Sequence, residues 1–345
     1  MSDRNAPPLV AISMGDPAGI GPEIILKAAA ELASTSDAPA LAVIGDLRAM
    51  RAAAKRIGGV PEPRTLSAGG AIGDAKGALA VIEASELAAR SIRPARPTIE
   101  GADAAFRYIV AGARMVMAGE AAALVTAPIN KEWLNRAGHH FPGHSELLAK
   151  LSGTRLWRMM FTGGELKLAL VTVHIGLARV ARRLTDDLVF QTIGLMAAHL
   201  REVADIRRPR IAVLGFNPHA GEGGLFGDEE GRAITPAIER ARRARIDAYG
   251  PLAPDTAFIR RGGHFGFDAA IAMYHDQGLI ALKTLEFNRA VNVTLGLPFV
   301  RTSPDHGTAY ELAGTGRASA ESMRAAIEYA WRAARARQAR GGRAA

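Results

Sequence analysis

The chain has 345 residues, no cysteine, 48% apolar residues and a formal net charge of +9 at pH 7. Its length favours two domains, and the absence of cysteine excludes disulfides, thiolate metal sites and a cysteine nucleophile. The first residues lack the basic start and long apolar core of a signal peptide, and no apolar stretch is long enough to span a bilayer. We expect a cytoplasmic protein without a membrane partner.

The positive charge comes almost entirely from arginine, which makes a nucleic-acid-binding protein the alternative of a different class. The arginines, however, are dispersed through alanine-rich segments such as 239–245 and 333–343. The sequence has neither the aromatic clusters typical of RNA-binding surfaces nor zinc-finger spacing. We therefore expect a solvated, arginine-rich surface and no nucleic-acid partner. A positive field also favours a small anionic substrate.

Apolar segments of strand length alternate with segments of helical periodicity along the chain. The predicted strands are 9–14, 41–45, 122–127, 168–173, 210–215 and 269–274. The predicted helices are 24–33, a segment after residue 45, 103–118, 184–206, 235–245 and 319–340. Between Gly58 and Pro97 we expect loops around a short helix, 75–90. This alternation predicts an α/β fold with a largely parallel sheet.

Three of the predicted strands are each followed by a histidine: His174, His219 and His275. In one parallel sheet the three imidazoles would emerge at the same carboxyl edge, where α/β proteins bind ligands. Three neutral imidazoles with an open coordination position suit a catalytic divalent ion, with Zn²⁺, Co²⁺, Mn²⁺ and Mg²⁺ as candidates. The alternative is that each histidine only hydrogen-bonds its own loop. We expect the shared metal site, with residues 275–278 in a loop.

Other polar residues are typical ligands of phosphate and carboxylate groups. Lys283 and Arg301 follow His275 on one segment, and lysine as a point charge and arginine as a fork bind such anions. His144 and Ser145 stand at the predicted start of a helix, where Ser145 could cap the helix and N–H groups favour negative charge. The alternative for each cation is a surface ion pair.

Long motifs support a family resemblance that covers nearly the whole chain. They are MGDPAGIGPE (14–23), TAPINK (126–131), FPGHSELLA (141–149), NPHAGEGG (217–224), MYHDQG (273–278) and VNVTLGLPFVRTSPDHGTA (291–309). With these motifs the chain closely resembles the 4-hydroxythreonine-4-phosphate dehydrogenases, enzymes of pyridoxal phosphate synthesis. The resemblance implies a two-lobed α/β/α fold, similar to isocitrate and isopropylmalate dehydrogenases, with the active site in the cleft between the lobes. It implies a first domain of residues 1–136 and 302–345, and a second domain of residues 137–301 with most metal and substrate ligands.

The resemblance also implies a role for each candidate residue. The divalent metal (Zn, Mg, Co or Mn) would be bound by His174, His219 and His275. The substrate would be bound by His144, Ser145, Lys283, Asn292 and Arg301. The loop of His306, Gly307 and Thr308 resembles a nucleotide-binding loop of the related dehydrogenases. Asp255 would lie near the metal, and the candidates for the general base are Asp255 and Lys283.

The implied reaction is the NAD- or NADP-dependent oxidation of 4-phosphohydroxy-L-threonine and its decarboxylation to 3-amino-2-oxopropyl phosphate, in pyridoxine 5′-phosphate biosynthesis. The implied assembly is a homodimer in which the second subunit completes the active site. The sequence departs from the family pattern at two places: the first keeps the hydroxyl group and with it the expected binding, and the second bears on the substrate. Ser145 stands where threonine is usual, and GGLFGDEE (223–230) lacks the usual histidine. At residues 223–230 the sequence is similar to that of relatives that act on D-threonate or D-erythronate 4-phosphate or on aromatic dihydrodiols. These compounds are the alternative substrates.

Overall fold

The computed structural model of the chain describes residues 8–35, 37–66 and 78–341. These residues form two compact units, and the chain passes from the first to the second and back. The first unit runs to Arg155 and resumes over Leu297–Gln338, whereas the second comprises Leu156–Gly296 and the chain from Ala339 onward. Each unit therefore contains its own part of the candidate residues.

The described strands and helices follow one another in the alternating order that the sequence predicts. The strands are β1 (Leu9–Ser13), β2 (Ala40–Gly45), β3 (Glu62–Thr65), β4 (Ala78–Glu83), β5 (Ala123–Thr126), β6 (Arg158–Thr162), β7 (Lys167–Leu170), β8 (Arg210–Leu214), β9 (Asp247–Leu252), β10 (Ala269–Ala272), β11 (Val291–Leu295) and β12 (Val300–Pro304). The helices are α1 (Gly21–Ala33), α2 (Leu47–Ile57), α3 (Ile99–Met117), α4 (Lys131–Arg136), α5 (His144–Leu151), α6 (Leu177–Arg183), α7 (Asp186–Val203), α8 (Thr235–Arg243), α9 (Pro254–Ala257), α10 (His275–Glu286) and α11 (Glu321–Gly341).

The strands of the first unit form a parallel arrangement in the order β3-β4-β2-β1-β5-β12. Its central strand β1 is apolar at successive positions, and Val10, Ala11 and Ile12 are fully buried. Successive side chains of a strand point to opposite faces, so such a run requires cover on both faces of the sheet. Helix α3 supplies part of this cover, because it packs against β1, β2 and β5.

The strands of the second unit follow the order β11-β6-β7-β10-β8-β9. Here β6 runs antiparallel to both of its neighbours, β11 and β7, and the remaining pairs are parallel. The core of this unit includes Phe161, Leu168, Leu214 and Leu282. Because Leu282 belongs to α10, this core fixes α10 on the sheet and with it the start of α10 at His275.

The boundaries of the units differ from the division at residues 136 and 302 that the resemblance implied. Helix α5 packs against α3, and β12, which carries Arg301, pairs with β5. Both contacts lie within the first unit. In this structure residues 137–155 and 297–301 therefore belong to the first unit, together with His144, Ser145 and Arg301.

The α/β class predicted from the sequence is confirmed, whereas two local predictions are wrong. The helix predicted over 75–90 is strand β4 at residues 78–83, and residues 75–77 lie outside the described residues. Its segment ALAVIE contains good helix formers, but pairing between β3 and β2 decides the outcome. Residues 275–278, predicted as a loop, form the first turn of α10. Within the described ranges, no helix is both long and apolar enough to cross a membrane.

Candidate functional site

The three candidate metal-binding histidines follow three neighbouring parallel strands of the second unit. Strand β10 lies between β7 and β8 and pairs in parallel with both. His174 lies four residues beyond β7, His219 five residues beyond β8, and His275 three residues beyond β10. The three histidines therefore follow the carboxyl ends of adjacent strands, as the sequence predicts.

His174 and His275 line a common cavity of about 660 Å³. Their ring centroids are 6.0 Å apart, and Asp255 of α9 lines the same cavity. Nδ1 of His275 lies 2.7 Å from Oδ1 of Asp276, which leaves Nε2 to face a ligand. The cavity thus brings together the imidazoles of His174 and His275 and the carboxylate of Asp255. The contact between His275 and Asp276 is of the kind that metal-bound histidines typically make with their second ring nitrogen.

His219 lies apart from this pair in the described structure. It is exposed, its ring lies 6.4 Å from that of Phe226, and it does not line the cavity. Across the described ranges, no three His, Cys, Asp or Glu side chains converge as a ready-made metal cluster. The donor set of three histidines and Asp255 nevertheless fits a divalent ion, because imidazole and carboxylate are ordinary ligands of such ions. His174, His219, Asp255 and His275 follow the carboxyl ends of β7, β8, β9 and β10, respectively.

The loop that carries His219 has an uncommon backbone and an acidic side chain at its centre. Residues 219–223 all have positive φ, a region that costs a non-glycine residue about 1–2 kcal/mol. Glu230, buried and just before α8, accepts hydrogen bonds from the backbone N–H groups of Phe216 and Asn217, each at 2.7 Å. Burial alone would raise the pKa of Glu230, but these bonds and that from the Asn217 side chain lower it below its ordinary value.

The two other candidates of the second unit lie outside this cavity. Lys283 lies in the last turn of α10, half-buried, with its ammonium 6.0 Å from the ring centroid of Phe287. Asn292 lies on β11 opposite Phe161 of β6. Its Oδ1 is buried without a hydrogen-bond partner, which is costly for a polar atom and marks a position where a ligand could donate.

In the first unit, the candidate cation Arg301 lies on β12 and is buried. It is 2% exposed, and its Nη2 donates to Oγ1 of Thr126 at 2.6 Å. Burial lowers the pKa of Arg301 to about 9, and the nearby charge of Glu146 opposes this shift. A desolvated guanidinium of this kind binds an oxyanion strongly, because the bonds form away from water.

His144 forms the first residue of α5 beside this cation. Its Nε2 is buried without a hydrogen-bond partner. Burial, together with the charges of Arg301 and Lys131, lowers the pKa of His144 well below its ordinary value. The imidazole is therefore neutral at pH 7. Ser145 is also buried, but the prediction that it caps α5 is wrong: the cap position is Gly143, and no side chain caps the helix.

The candidate nucleotide loop packs against the glycine-rich turn near the N-terminus of the same unit. Backbone N–H of Ile20 donates to the carbonyl of Thr308 at 3.0 Å, and a Cβ on Gly19 would come within 3.0 Å of Thr308. Tyr310 donates its hydroxyl to Oδ2 of Asp16 at 2.6 Å. These contacts join residues 15–23, which belong to the motif MGDPAGIGPE, to the candidate nucleotide loop and Tyr310.

Four residues near the candidate positions are identified only in the structure: Thr126, Lys131, Glu146 and Glu230. The first three lie in the motifs TAPINK and FPGHSELLA, so those motifs were the available signal. For Glu230 the only sequence signal is its place as the last of three adjacent acidic residues at the end of GGLFGDEE. Its burial against a loop 13 residues away is a tertiary feature.

Comparisons with known proteins agree with the motifs. The family model described as "Pyridoxal phosphate biosynthetic protein PdxA" matches residues 37–330. A 4-hydroxythreonine-4-phosphate dehydrogenase of Geobacter metallireducens is 47% identical over 98% of this chain and 99% of the relative. A D-threonate 4-phosphate dehydrogenase of Salmonella typhimurium is 45% identical over 93% and 97%. The crystal structure of a 4-hydroxythreonine-4-phosphate dehydrogenase from Klebsiella pneumoniae superposes with a TM-score of 0.82 at 42% identity, covering 95% of this chain and 99% of that chain.

These matches span both units and include the segments that carry the histidines of the second unit and Arg301 of the first. The relatives named here are dehydrogenases, which are oxidoreductases. The chain therefore belongs to the PdxA family and is an oxidoreductase.

Proposed function

We propose that the chain oxidises 4-phosphohydroxy-L-threonine with NAD (or NADP) and a divalent metal, in pyridoxine 5′-phosphate biosynthesis. The product of oxidation is a β-keto acid, which loses CO₂ to give 3-amino-2-oxopropyl phosphate. The relative at 47% identity carries the name of this activity. The observation that carries the proposal is that three adjacent strands lead to histidines, two of which line a cavity with a carboxylate.

In this proposal His174, His219 and His275 hold the metal, and Asp255 lies beside two of them in the cavity. When bound, the divalent ion polarises the substrate hydroxyl and the nicotinamide accepts the hydride. Of the two candidate bases we favour Asp255 over Lys283, because only Asp255 lines the cavity of His174 and His275. Its carboxylate would accept the hydroxyl proton while the carbon loses the hydride.

The phosphate and carboxylate groups of the substrate are assigned to the cations and buried polar atoms. Arg301 offers a desolvated guanidinium, and neutral His144 offers an unpartnered Nε2 that can donate or accept according to its tautomer. Ser145 adds a hydroxyl. In the second unit Lys283 and Asn292 add an ammonium and an amide. The nucleotide is assigned to His306, Gly307 and Thr308 of the first unit.

A second candidate substrate is D-threonate 4-phosphate, or its stereoisomer D-erythronate 4-phosphate. The relative from Salmonella typhimurium at 45% identity is named for the first of these. The side chains of Leu225 and Phe226 are exposed, and Phe226 lies against the His219 ring, where the more usual family sequence has a histidine in this run. An apolar side chain at this position would alter which substrate groups can bind near the ion.

We also propose a homodimer, as the resemblance implied. Leu177 and Ile280 line the cavity of His174 and His275 and are 65% and 67% exposed. Exposed apolar side chains around a site are typical of a surface that a partner covers. Light scattering of the purified protein is expected to give twice the mass of 36.4 kDa. A monomeric mass would contradict the dimer and leave the reaction untouched.

The experiment that tests the reaction follows NADH absorbance with purified protein, NAD⁺ and each of the three phosphorylated acids, with and without EDTA. Chelator-sensitive turnover of 4-phosphohydroxy-L-threonine is the expected result. Turnover of only the sugar-acid phosphates would move the chain to the second candidate. An enzyme that is fully active after EDTA treatment and dialysis would contradict the metal role.

A further inference from the structure

The loop after β8 has a conformation that its own sequence disfavours. Residues 219–223 have φ values of 52°, 56°, 83°, 45° and 68°, and three of the five, including His219, are not glycine. L-residues avoid this region because Cβ approaches the following carbonyl oxygen. Contacts from outside the loop must therefore keep the loop in this conformation.

Glu230 provides such contacts. Its Oε1 accepts the N–H groups of Phe216 and Asn217 at 2.7 Å each, and its Oε2 accepts Nδ2 of Asn217 at 2.9 Å. The loop also closes around the carboxylate: a Cβ on Gly215 or Gly221 would come within 3.2 Å or 2.7 Å of a Glu230 oxygen. Glu230 is 7% exposed. The loop is thus assembled on one buried carboxylate.

We propose that Glu230 is a positioning residue of the metal site, which holds the loop after β8 in its left-handed conformation and so sets the position from which the His219 imidazole would reach the ion. This inference rests on the metal role of His219 in the proposed function. Glu230 itself contacts neither ion nor substrate; it acts through backbone and amide bonds two and three residues before His219. Outer-shell residues of this kind typically change metal affinity tenfold to a hundredfold when replaced.

The test is a titration of the metal-free protein with Co²⁺, followed by visible absorption and calorimetry. Glu230→Gln keeps the shape and one acceptor oxygen but turns an amide N–H₂ toward the Asn217 amide, so two donors face each other. We expect the Kd for Co²⁺ to rise about 10- to 100-fold. The matched control is Asp228→Asn, which removes an equal charge from a side chain that is 81% exposed and bonded to Arg232. Its Kd should equal that of the wild type.

A double substitution separates positioning from general damage. If Glu230 acts through His219, then Glu230→Gln causes no further loss of Co²⁺ affinity in a His219→Ala background. Additive losses would overturn the inference, as would a wild-type Kd in Glu230→Gln alone while His219→Ala weakens binding; in both results the proposed function stands. A His219→Ala protein with wild-type Co²⁺ affinity would instead remove the metal role of His219 and this inference with it.

A second variant covers the outcome in which Glu230→Gln does not fold. Asn217→Ala keeps the Glu230 carboxylate and both backbone bonds but removes the amide that joins it to Glu229 and Glu230. We expect a smaller rise in the Kd for Co²⁺ that also disappears in the His219→Ala background. An unchanged Kd in a folded Asn217→Ala protein would overturn the inference.

Discussion

At the scale of single residues, Arg301 offers the sharpest test of anion recognition. Its guanidinium is buried and bonded to Thr126, and lysine cannot reproduce the planar fork. We expect Arg301→Lys to raise the KM for the phosphorylated substrate roughly 10- to 100-fold, equivalent to about 1.5–3 kcal/mol for a hydrogen bond to a charged group. Initial-rate kinetics measure this effect. Arg335→Lys is the control, since Arg335 is an exposed partner of Asp37. Equal KM values in both variants would remove Arg301 from the site.

His144 makes stability depend on pH. Its pKa is lowered in the folded protein by burial and by Arg301 and Lys131, whereas an unfolded histidine titrates near pH 6.5. Below about pH 6.5 the unfolded chain therefore binds a proton that the folded protein does not, so stability falls as the pH falls.

The measurement is urea unfolding of the wild type and of His144→Asn between pH 7 and pH 5. In the variant, the free energy of unfolding should change less steeply with pH, by up to about 1.4 kcal/mol per pH unit. His140→Asn, at an exposed histidine bonded to Asn135, should keep the wild-type slope. A wild-type slope in His144→Asn would contradict the assignment.

The same scale shows what sequence could predict of the site. Histidines after apolar strands are visible in the sequence, because strand length and the following residue are local features. The burial of Arg301 and the bonds of Glu230 depend on strand pairing and on a loop that folds back, which no local pattern reports. The position of the His219 imidazole likewise depends on the left-handed loop.

At the scale of elements, Gly278 fixes the contact between α10 and the sheet. A Cβ there would overlap with the fully buried Leu168 side chain. Gly278→Ala gains about 1 kcal/mol of helix propensity but loses about 1–3 kcal/mol to overpacking. We expect net destabilisation and a lower kcat, since α10 begins at His275. Gly194→Ala in α7, where a Cβ meets nothing within 4 Å, should instead stabilise the protein by up to about 1 kcal/mol. Urea midpoints decide between these signs.

Strands β4, β6 and β11 show why element prediction failed in places. The chain in and around β4 is rich in alanine, leucine and glutamate, whose intrinsic propensity favours a helix. Parallel pairing with β2 and β3 nevertheless makes this segment a strand. Strand β6, RMMFT, is short and has no alternating pattern, and it runs antiparallel between β7 and β11. The strands that were predicted correctly, such as β1 and β8, are short but continuous apolar runs, and long helices such as α3 and α7 agree with their predicted ranges to within a few residues.

At the scale of the whole molecule, the net charge of +9 has two interpretations from sequence alone, a solvated arginine-rich surface or a nucleic-acid-binding surface. In the structure many arginines are paired with acids on the surface of each unit. Examples are Arg240 with Asp186 and Asp187, Arg324 with Glu31 and Glu328, and Arg335 with Asp37. Paired arginines contribute little to a phosphate-binding surface, because each phosphate contact requires a cation that is free to exchange counterions.

Salt dependence therefore distinguishes the enzyme from a nucleic-acid-binding protein. We expect only weak binding to a duplex of about 30 base pairs, with a Kd above ~10⁻⁶ M at physiological salt, as for non-specific binding. Fluorescence anisotropy across a salt series measures this. Over the same series kcat/KM for the anionic substrate should decline moderately as the positive field is screened, with kcat unchanged. A submicromolar Kd whose salt dependence corresponds to six or more phosphate contacts would instead show that the arginines form a nucleic-acid-binding surface. In that event the charge would have a function separate from the dehydrogenase site.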